Sequence, residues 1–540
     1  MKSALNRNKL LQITFFTIAI SSSYCAESFG QNAQAKPADP ARVIKVPSDF
    51  PTLASAVSRA RDGDWIILSP GTYSAKNIDL THPITISSEW KLTGDLTKIE
   101  GTIIDADDET LFNITADGIE ISGLHIINGD HTLNILSRVT ILHNHFERNK
   151  DAMSFEGSGG GYAGYNLVEN DRDDGIDADI GSDPKNPGHD LHVTYNTIIN
   201  SHDDGMEIRL FEYPDQNIHY EISHNTIVGS KNAGIQLISY DRFTGKEFRI
   251  HHNIFRECKV GLGCMEGSNT VENLGGASKM DELVCFFNNT LVGNQMGATG
   301  GNHVLAVNNI VQGNKLGGFK RFGKNSAAVN NVFYQNGGDD ILEFSPDVIK
   351  SENIFSTDPL LDMKTFAPAA GSVCVDSGKE KYPDGTANLV DVASVDIAGK
   401  APDIGAVEFG SIGKPALASS PLVVDAGDDI VLTSPDSEFE LAGTVSGAGE
   451  GQHAVRWSQV SGPKNVAIMN PNKLKTKATL KENGIYQFSL TGTVGRQSGR
   501  DDKIVRFTKE GSGHRVFLKN GVVNEIEAED FAFAYGNAGM

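Results

Sequence analysis

From Asn144 onward the chain repeats one local pattern, an asparagine followed by a short β-rich run: Asn144-His-Phe, Asn166-Leu-Val, Asn196-Thr-Ile, Asn225-Thr-Ile, Asn253-Ile-Phe, Asn289-Thr-Leu, Asn309-Ile-Val and Asn331-Val-Phe. The period is roughly 20 to 36 residues, which is the spacing of a stacked repeat rather than of one globular core. Strands this short bury no core alone, so successive coils must stack, with equivalent positions about 4.8 Å apart along the axis. An asparagine at one turn then meets its counterpart on the next coil and can hydrogen-bond it as a ladder. Coils of unequal length place loops on one side, where a solenoid builds its groove.

The two ends of this region fit the same picture. The opening Val46-Pro-Ser-Asp-Phe-Pro-Thr-Leu, a short amphipathic helix through Arg61, and Asp62-Gly-Asp-Trp-Ile-Ile-Leu-Ser-Pro-Gly-Thr-Tyr73 resemble the capped first coil of many extracellular β-helix proteins. The closing Pro402-Asp-Ile-Gly-Ala-Val-Glu-Phe409 resembles their final strand. The expected fold is all-β: a right-handed parallel β-helix, or solenoid, over residues 43–410, then an immunoglobulin-like β-sandwich. A Gly/Pro/Ser-rich connector at 411–421 leads to 422–508, where Val424-Asp-Ala-Gly-Asp-Asp429, Val455-Arg-Trp-Ser-Gln-Val-Ser-Gly-Pro463 and Gly484-Ile-Tyr-Gln-Phe-Ser-Leu490 look like a PKD module, with Trp457 in its core and the last segment in a hairpin. Within the tail 509–540, Glu525-Ile-Glu-Ala-Glu-Asp-Phe531 resembles the first strand of a carbohydrate-binding sandwich.

Length and charge sharpen this. A chain of 540 residues exceeds what one core organises, as a repeat plus a module predicts. The net charge of −22 argues against a nucleic-acid partner, because no basic surface is present to displace phosphate counterions. Lys2, Arg7 and Lys9, the apolar run Leu10–Ile20 and Ser21–Ser23 read as a signal peptide within 1–31, too short to span a bilayer. Cleavage is expected near Cys25–Ala26 or after Ala33-Gln34-Ala35, a lipid on Cys25 fits its neighbours poorly, and the mature protein is expected to be secreted or periplasmic without a membrane span. Cys258, Cys264, Cys285 and Cys374 match no zinc spacing and read as buried small hydrophobes or one disulfide. No feature of the sequence fixes an oligomeric state.

Aligning coils on their glycine superposes Lys150-Asp-Ala-Met-Ser-Phe-Glu156, Asp173-Asp-Gly-Ile-Asp-Ala-Asp179, Asp203-Asp-Gly-Met-Glu-Ile-Arg209 and Asn232-Ala-Gly-Ile-Gln-Leu-Ile238. Four columns follow: Lys150, Asp173, Asp203 and Asn232; Asp151, Asp174 and Asp204; Ser154, Asp177, Glu207 and Gln236; Glu156, Asp179 and Arg209. One Asp-Gly pair is most simply a turn. Two consecutive coils each carrying Asp-Asp-Gly-x-acid are another matter, because carboxylates stacked this closely repel unless a cation or protons neutralise them.

Asp173-Asp174-Gly-Ile-Asp177, with an aspartate one coil earlier, resembles the calcium motif of the family-nine pectate lyases. The resemblance implies Ca²⁺ held by Asp173, Asp174 and Asp177 with Asp151 as fourth ligand, and an acidic, uronate-containing polysaccharide cleaved by β-elimination. The family's base is a lysine in the column where this chain has Glu207, which leaves Arg209, Lys231 and His202 as substitutes, Arg209 first, for substrate-carboxylate binding or proton transfer. Tyr240 and Arg242, with Tyr213, are groove candidates able to stack on or clamp sugar rings. The same residues also resemble a polygalacturonase pattern in which Asp174, Asp203 and Asp204 would share inverting hydrolysis, although that family's Gly-His-Gly and Arg-Ile-Lys motifs are missing. A third reading makes the cluster the structural Ca²⁺ site of a non-catalytic glycan-binding or adhesive solenoid. His219, His224, His251 and His252 read as members of hydrogen-bond networks rather than of a catalytic site.

Overall fold

The computed structural model describes residues 40–181, 188–210, 218–240, 243–267, 272, 274, 280–383, 389–392 and 396–410, most of 423–508, and short pieces at 515–516 and 526–527. The expected signal peptide, the connector 411–421, nearly all of the tail, Tyr213 and Arg242 lie outside the described residues.

Three long parallel sheets wind together. One has 13 strands, from Val43–Val46 to Ile349–Ser351; one has 11, from Ile78–Leu80 to Ile341–Leu342; one has 12, from Gly71–Ser74 to Ile354–Phe355. Each coil contributes one strand to each sheet, paired in parallel with the coils before and after it. Alternation sets the faces: in Ile176–Ile180, the side chains of Ile176, Ala178 and Ile180 join a continuous apolar core while Asp177 and Asp179 face out.

The repeat's asparagine does what its spacing predicts. Asn225 is fully buried, and its Oδ1 accepts from the backbone N–H (2.9 Å) and Nδ2 (3.0 Å) of Asn196. The ladder runs through all eight predicted asparagines and one coil further, to Asn353. Immediately before each of the eight is a residue in the left-handed region, from His143 (φ 51°) and Tyr165 (57°) to Asn330 (56°). That conformation is unfavourable for a residue with a Cβ, so the corner must be held by its contacts. Ring stacking supplies some of them: His143, Tyr165, Tyr195, His224 and His252 stack in sequence with centroids 5.0, 5.0, 4.6 and 4.9 Å apart. His224 and His252 are therefore scaffold residues, as expected, and His251 and His219 pair with Glu221 and Asp190.

Two expectations need correction. The first helix spans only Leu53–Val57, capped by Thr52 and Ser55, because the chain turns at Ser58 and must reverse through Gly63 (φ 81°) to begin the next strand. Residues 402–409 form no strand. They lie against the corners of earlier coils, where Asn288 Nδ2 donates to Asp403 O (2.8 Å) and Gly405 N to Asn308 O (2.9 Å), so the segment runs along the stack instead of extending it.

The C-terminal unit is a separate sandwich. Trp457 is buried among Tyr486, Phe488, Leu490 and Phe507, and Gly484–Val494 forms a hairpin with Gln497–Thr508. Cys258, Cys264, Cys285 and Cys374 are buried free thiols. Among the described residues no helix is long and apolar enough to cross a membrane.

Candidate functional site

The glycine of each Asp-Asp-Gly unit has a steric cause. A Cβ on Gly175 would lie 2.8 Å from the carbonyl oxygen of Gly205, and one on Gly205 would lie 2.6 Å from that of Gly234. From Gly175 onward the coils at this column stack too closely for a Cβ, though the coil before it carries Ala152 there, so the Asp-Gly pair is a stacking device rather than a turn.

Next to the glycines runs a second ladder, made of carboxylates. Asp151 Oδ1 accepts from Asp174 N (3.1 Å), Asp174 Oδ1 from Asp204 N (2.8 Å), and Asp204 Oδ1 from Ala233 N (2.6 Å) and Asn232 Nδ2 (2.9 Å). All three aspartates are buried. Burial raises the carboxyls of Asp174 and Asp204 well above the usual range, and the neighbouring charges (Asp204 on Asp174, Asp203 on Asp204) push them further.

Outward from this ladder, Ser154, Asp177, Glu207 and Gln236 stand in register on successive strands, with Glu156 and Asp179 in the adjoining column. Burial lifts Asp177 to about 6 and Glu207 to about 8, against the pull of Arg209. Asp179 is lifted to about 7 by burial and then by Asp177. Arg209 donates to Asp179 (3.1 Å), lies 3.9 Å from Asp177, and contacts Glu207. One guanidinium does not neutralise so many acids. Asp177 Oδ1, Asp204 Oδ2 and both polar atoms of the Gln236 amide are buried without a hydrogen-bond partner. Buried orphan oxygens beside crowded carboxylates are what a hard cation satisfies.

Beside the cluster, Lys150, Arg172, Asp108, Asp130 and Asp173 line an open hollow of about 460 Å³. Arg172 is braced by Asp108 (2.8 Å) and by the carbonyl of Gly129 (2.9 Å).

Residues 93–248 match the family model described as right handed beta helix region, and residues 426–505 match a family model of a PKD domain. The stacked coils are a right-handed β-helix region. No curated protein matches the chain. Among solved structures, the PKD domain from human KIAA0319 is 27% identical over 18% of this chain and 89% of its own, with a TM-score of 0.17. The catalytic unit of a GH87 α-1,3-glucanase from Streptomyces thermodiastaticus is 12% identical, over 60% of this chain and 71% of its own, with a TM-score of 0.38. Pectate lyase Pel9A is 14% identical, over 68% of this chain and 96% of its own, with a TM-score of 0.31. None of these likenesses assigns an activity to this β-helix.

The β-helix brings the four expected cation ligands together, but not as one closed set. Ligand atoms of Asp174, Asp177 and Glu207 lie within 4.8 Å of one another; so do those of Asp173, Asp174 and Asp203, and those of His131, Asp151 and Asp177. Asp174 and Asp177 are thus shared centres, with Glu207 and Asp203 drawn in. Arg209 is set aside as a proton acceptor: burial works against its charge, but Asp177, Asp179 and Glu207 raise its pKa further, and a guanidinium so held keeps its proton. Asp204 is also unsuited to the hydrolytic role, because it is wholly buried and committed to the ladder. Asp203 is partly exposed at the edge, while His202 and Lys231 are exposed on consecutive coils. His202 is near enough to Asp173 and Asp203 to pull both carboxyls down against burial. Tyr240, half-buried, senses Arg209, Asp179 and Glu207, and burial raises its phenol.

Three participants escaped the sequence reading. His131 Nδ1 lies 3.1 Å from Asp151 Oδ2, and its strand pairs His131 with Asp151, so one more coil of alignment would have found it. Gln236 was placed in its column without a role. Lys246 gave no signal: it sits before a strand, is buried, donates to Ile180 O (2.6 Å), and burial lowers its amine to about 8.

Proposed function

We propose that this protein is a polysaccharide lyase that cleaves an acidic, uronate-containing glycan with the help of Ca²⁺. The observation that carries the reading is the set of buried oxygens without a hydrogen-bond partner on Asp177, Asp204 and Gln236, packed among the carboxylates of Asp174 and Glu207 and flanked by a hollow holding Lys150 and Arg172. Asp174, Asp177 and Glu207 would hold the cation, with Asp151 and Asp173 on its two flanks. Bound there, Ca²⁺ would supply the positive charge that links an anionic sugar to an acidic surface and acidifies the proton beside its carboxylate.

The protein's own residues divide the remaining work. Arg209 stays cationic and keeps Asp177, Asp179 and Glu207 oriented. Lys150 and Arg172 offer charge-assisted hydrogen bonds to uronate carboxylates next to Asp173. His202 and Lys231 are the exposed groups we assign to proton abstraction, and Tyr240 keeps its phenolic proton near neutrality for a sugar oxygen. Elimination then expels the glycosidic oxygen and leaves an unsaturated uronate.

The direct test is Asp177→Asn. Calorimetric titration should show Ca²⁺ binding weakened at least tenfold together with loss of cleavage, whereas unchanged binding with lost cleavage would move Asp177 from cation ligand to reacting acid. His202→Ala and Lys231→Ala, assayed separately, identify the proton acceptor by which one loses turnover while keeping substrate affinity.

A further inference from the structure

A second cluster lies on another sheet of the β-helix, the one that holds the short strands His125–Ile127, His145–Glu147 and Leu167–Glu169. His125 and His145 are in register on adjacent coils, and their rings stack with centroids 4.1 Å apart and planes 5° from parallel. Above them, Glu100 ends the short helix Thr97–Glu100. Its Oε2 lies 3.0 Å from His145 Nδ1 and 3.5 Å from His125 Nδ1. Four ligands at zinc bonding distance from one tetrahedral centre stand about 3.3 Å apart, so both separations are of the right size, and the two parallel rings need only splay for both Nδ1 atoms to meet one ion.

The outer nitrogens are equally informative. His125 Nε2 faces Glu147 (3.3 Å), and His145 Nε2 faces Glu169 (3.1 Å). A carboxylate behind each ring can hold a ring proton on Nε2; at His145 the Nδ1 also hydrogen-bonds Glu100 (3.0 Å), a proton that an ion bound here would displace, whereas His125 Nδ1 makes no such bond. That His125 Nδ1 is buried. Ring nitrogens backed by carboxylates and converging on a third carboxylate are the arrangement of a transition-metal site.

We infer that Glu100, through its carboxylate, and His125 and His145, through Nδ1, bind one divalent transition metal ion of the zinc class, with Glu147 and Glu169 as outer partners. The ion ties the Thr97–Glu100 helix to two coils of the stack. Glu100 is the exposed member (59%), so the ion enters from solvent on that side.

The test uses full-length protein freed of metal by chelation and titrated with Zn²⁺, and with Co²⁺ followed by visible absorption. One equivalent should bind, give Co²⁺ the intense bands of a tetrahedral site, and raise the thermal midpoint. His125→Ala and His145→Ala should each lose that equivalent and the Co²⁺ spectrum while retaining Ca²⁺ binding at the carboxylate cluster. Glu100→Ala, on an exposed residue, keeps the test open if a histidine variant fails to fold; it should weaken Zn²⁺ at least tenfold. Wild-type protein that binds no Zn²⁺, or Glu100 and histidine variants that bind it as wild type does, would overturn the site. Loss of Zn²⁺ binding in Asp177→Asn alone would also overturn it, by placing the ion in the carboxylate cluster.

Discussion

Replacing Asp204 by asparagine and by alanine separates two roles for a carboxylate at the centre of the acidic columns. Asp204 Oδ1 accepts from Ala233 N (2.6 Å) and Asn232 Nδ2 (2.9 Å), while Oδ2 is buried without a partner. Asparagine keeps the accepting oxygen and removes an acid that burial, Asp203 and Glu207 all disfavour as an anion, so stability should change by less than about 1 kcal/mol. Alanine removes both hydrogen bonds and strands a buried amide N–H, which should cost about 2–4 kcal/mol. Urea unfolding of the three proteins measures this, with glycan cleavage assayed in parallel. If Asp204 is scaffold, the asparagine variant cleaves within about threefold of wild type, whereas removing a general acid or base costs roughly 100- to 10,000-fold. A well-folded asparagine variant with a loss of that size would refute the ladder assignment and restore the hydrolytic reading.

Two other predictions concern the scaffold. Asn225→Ala removes an acceptor for Asn196 and donors to Val193 O (2.8 Å) and Asn253 (2.9 Å) at a fully buried position, and should destabilise by about 3–5 kcal/mol, against about 1 kcal/mol for Asn353→Ala at the end of the ladder; equal losses in urea unfolding would contradict the cooperative ladder. For Glu221, burial pushes the carboxyl up, but His251, then Arg249 and His192, bring it down to about 2. Its folded pKa therefore lies below its unfolded one, so its contribution is present above pH ~4.5 and lost as pH falls toward 2. With the side chain 26% exposed, that contribution is about 2 kcal/mol after screening; Glu221→Gln should flatten the acid limb of the stability profile, and parallel profiles would count against the pairing.

Legibility in the sequence followed the repeat. The asparagines could be read because each must meet its copy one coil away, and the carboxylate columns because a glycine without room for a Cβ marks the same place in successive coils. The limits have the same origin. Residues 402–409 have a strand-like composition but pack against Asn288 and Asn308, far away in sequence, and no local pattern records that. Arg209 was weighed as proton acceptor although Asp179 shares its column, because the columns show which residues are neighbours but not that one guanidinium engages Asp177, Asp179 and Glu207 together. His125 and His145 occupy equivalent repeat positions and were readable in principle, whereas Glu100 joins them from a helix outside the repeat.

The central claim is tested most directly by following the near-ultraviolet absorbance of unsaturated uronates, together with new reducing ends, while the purified protein acts on a panel of polyuronates with Ca²⁺ and with a chelator. The account predicts that both signals rise together on at least one polyuronate, and that the chelator abolishes both. Reducing ends appearing without the unsaturated chromophore would contradict it by making the protein a hydrolase, and silence in both signals across the panel would contradict it in favour of a cation-stabilised glycan-binding solenoid.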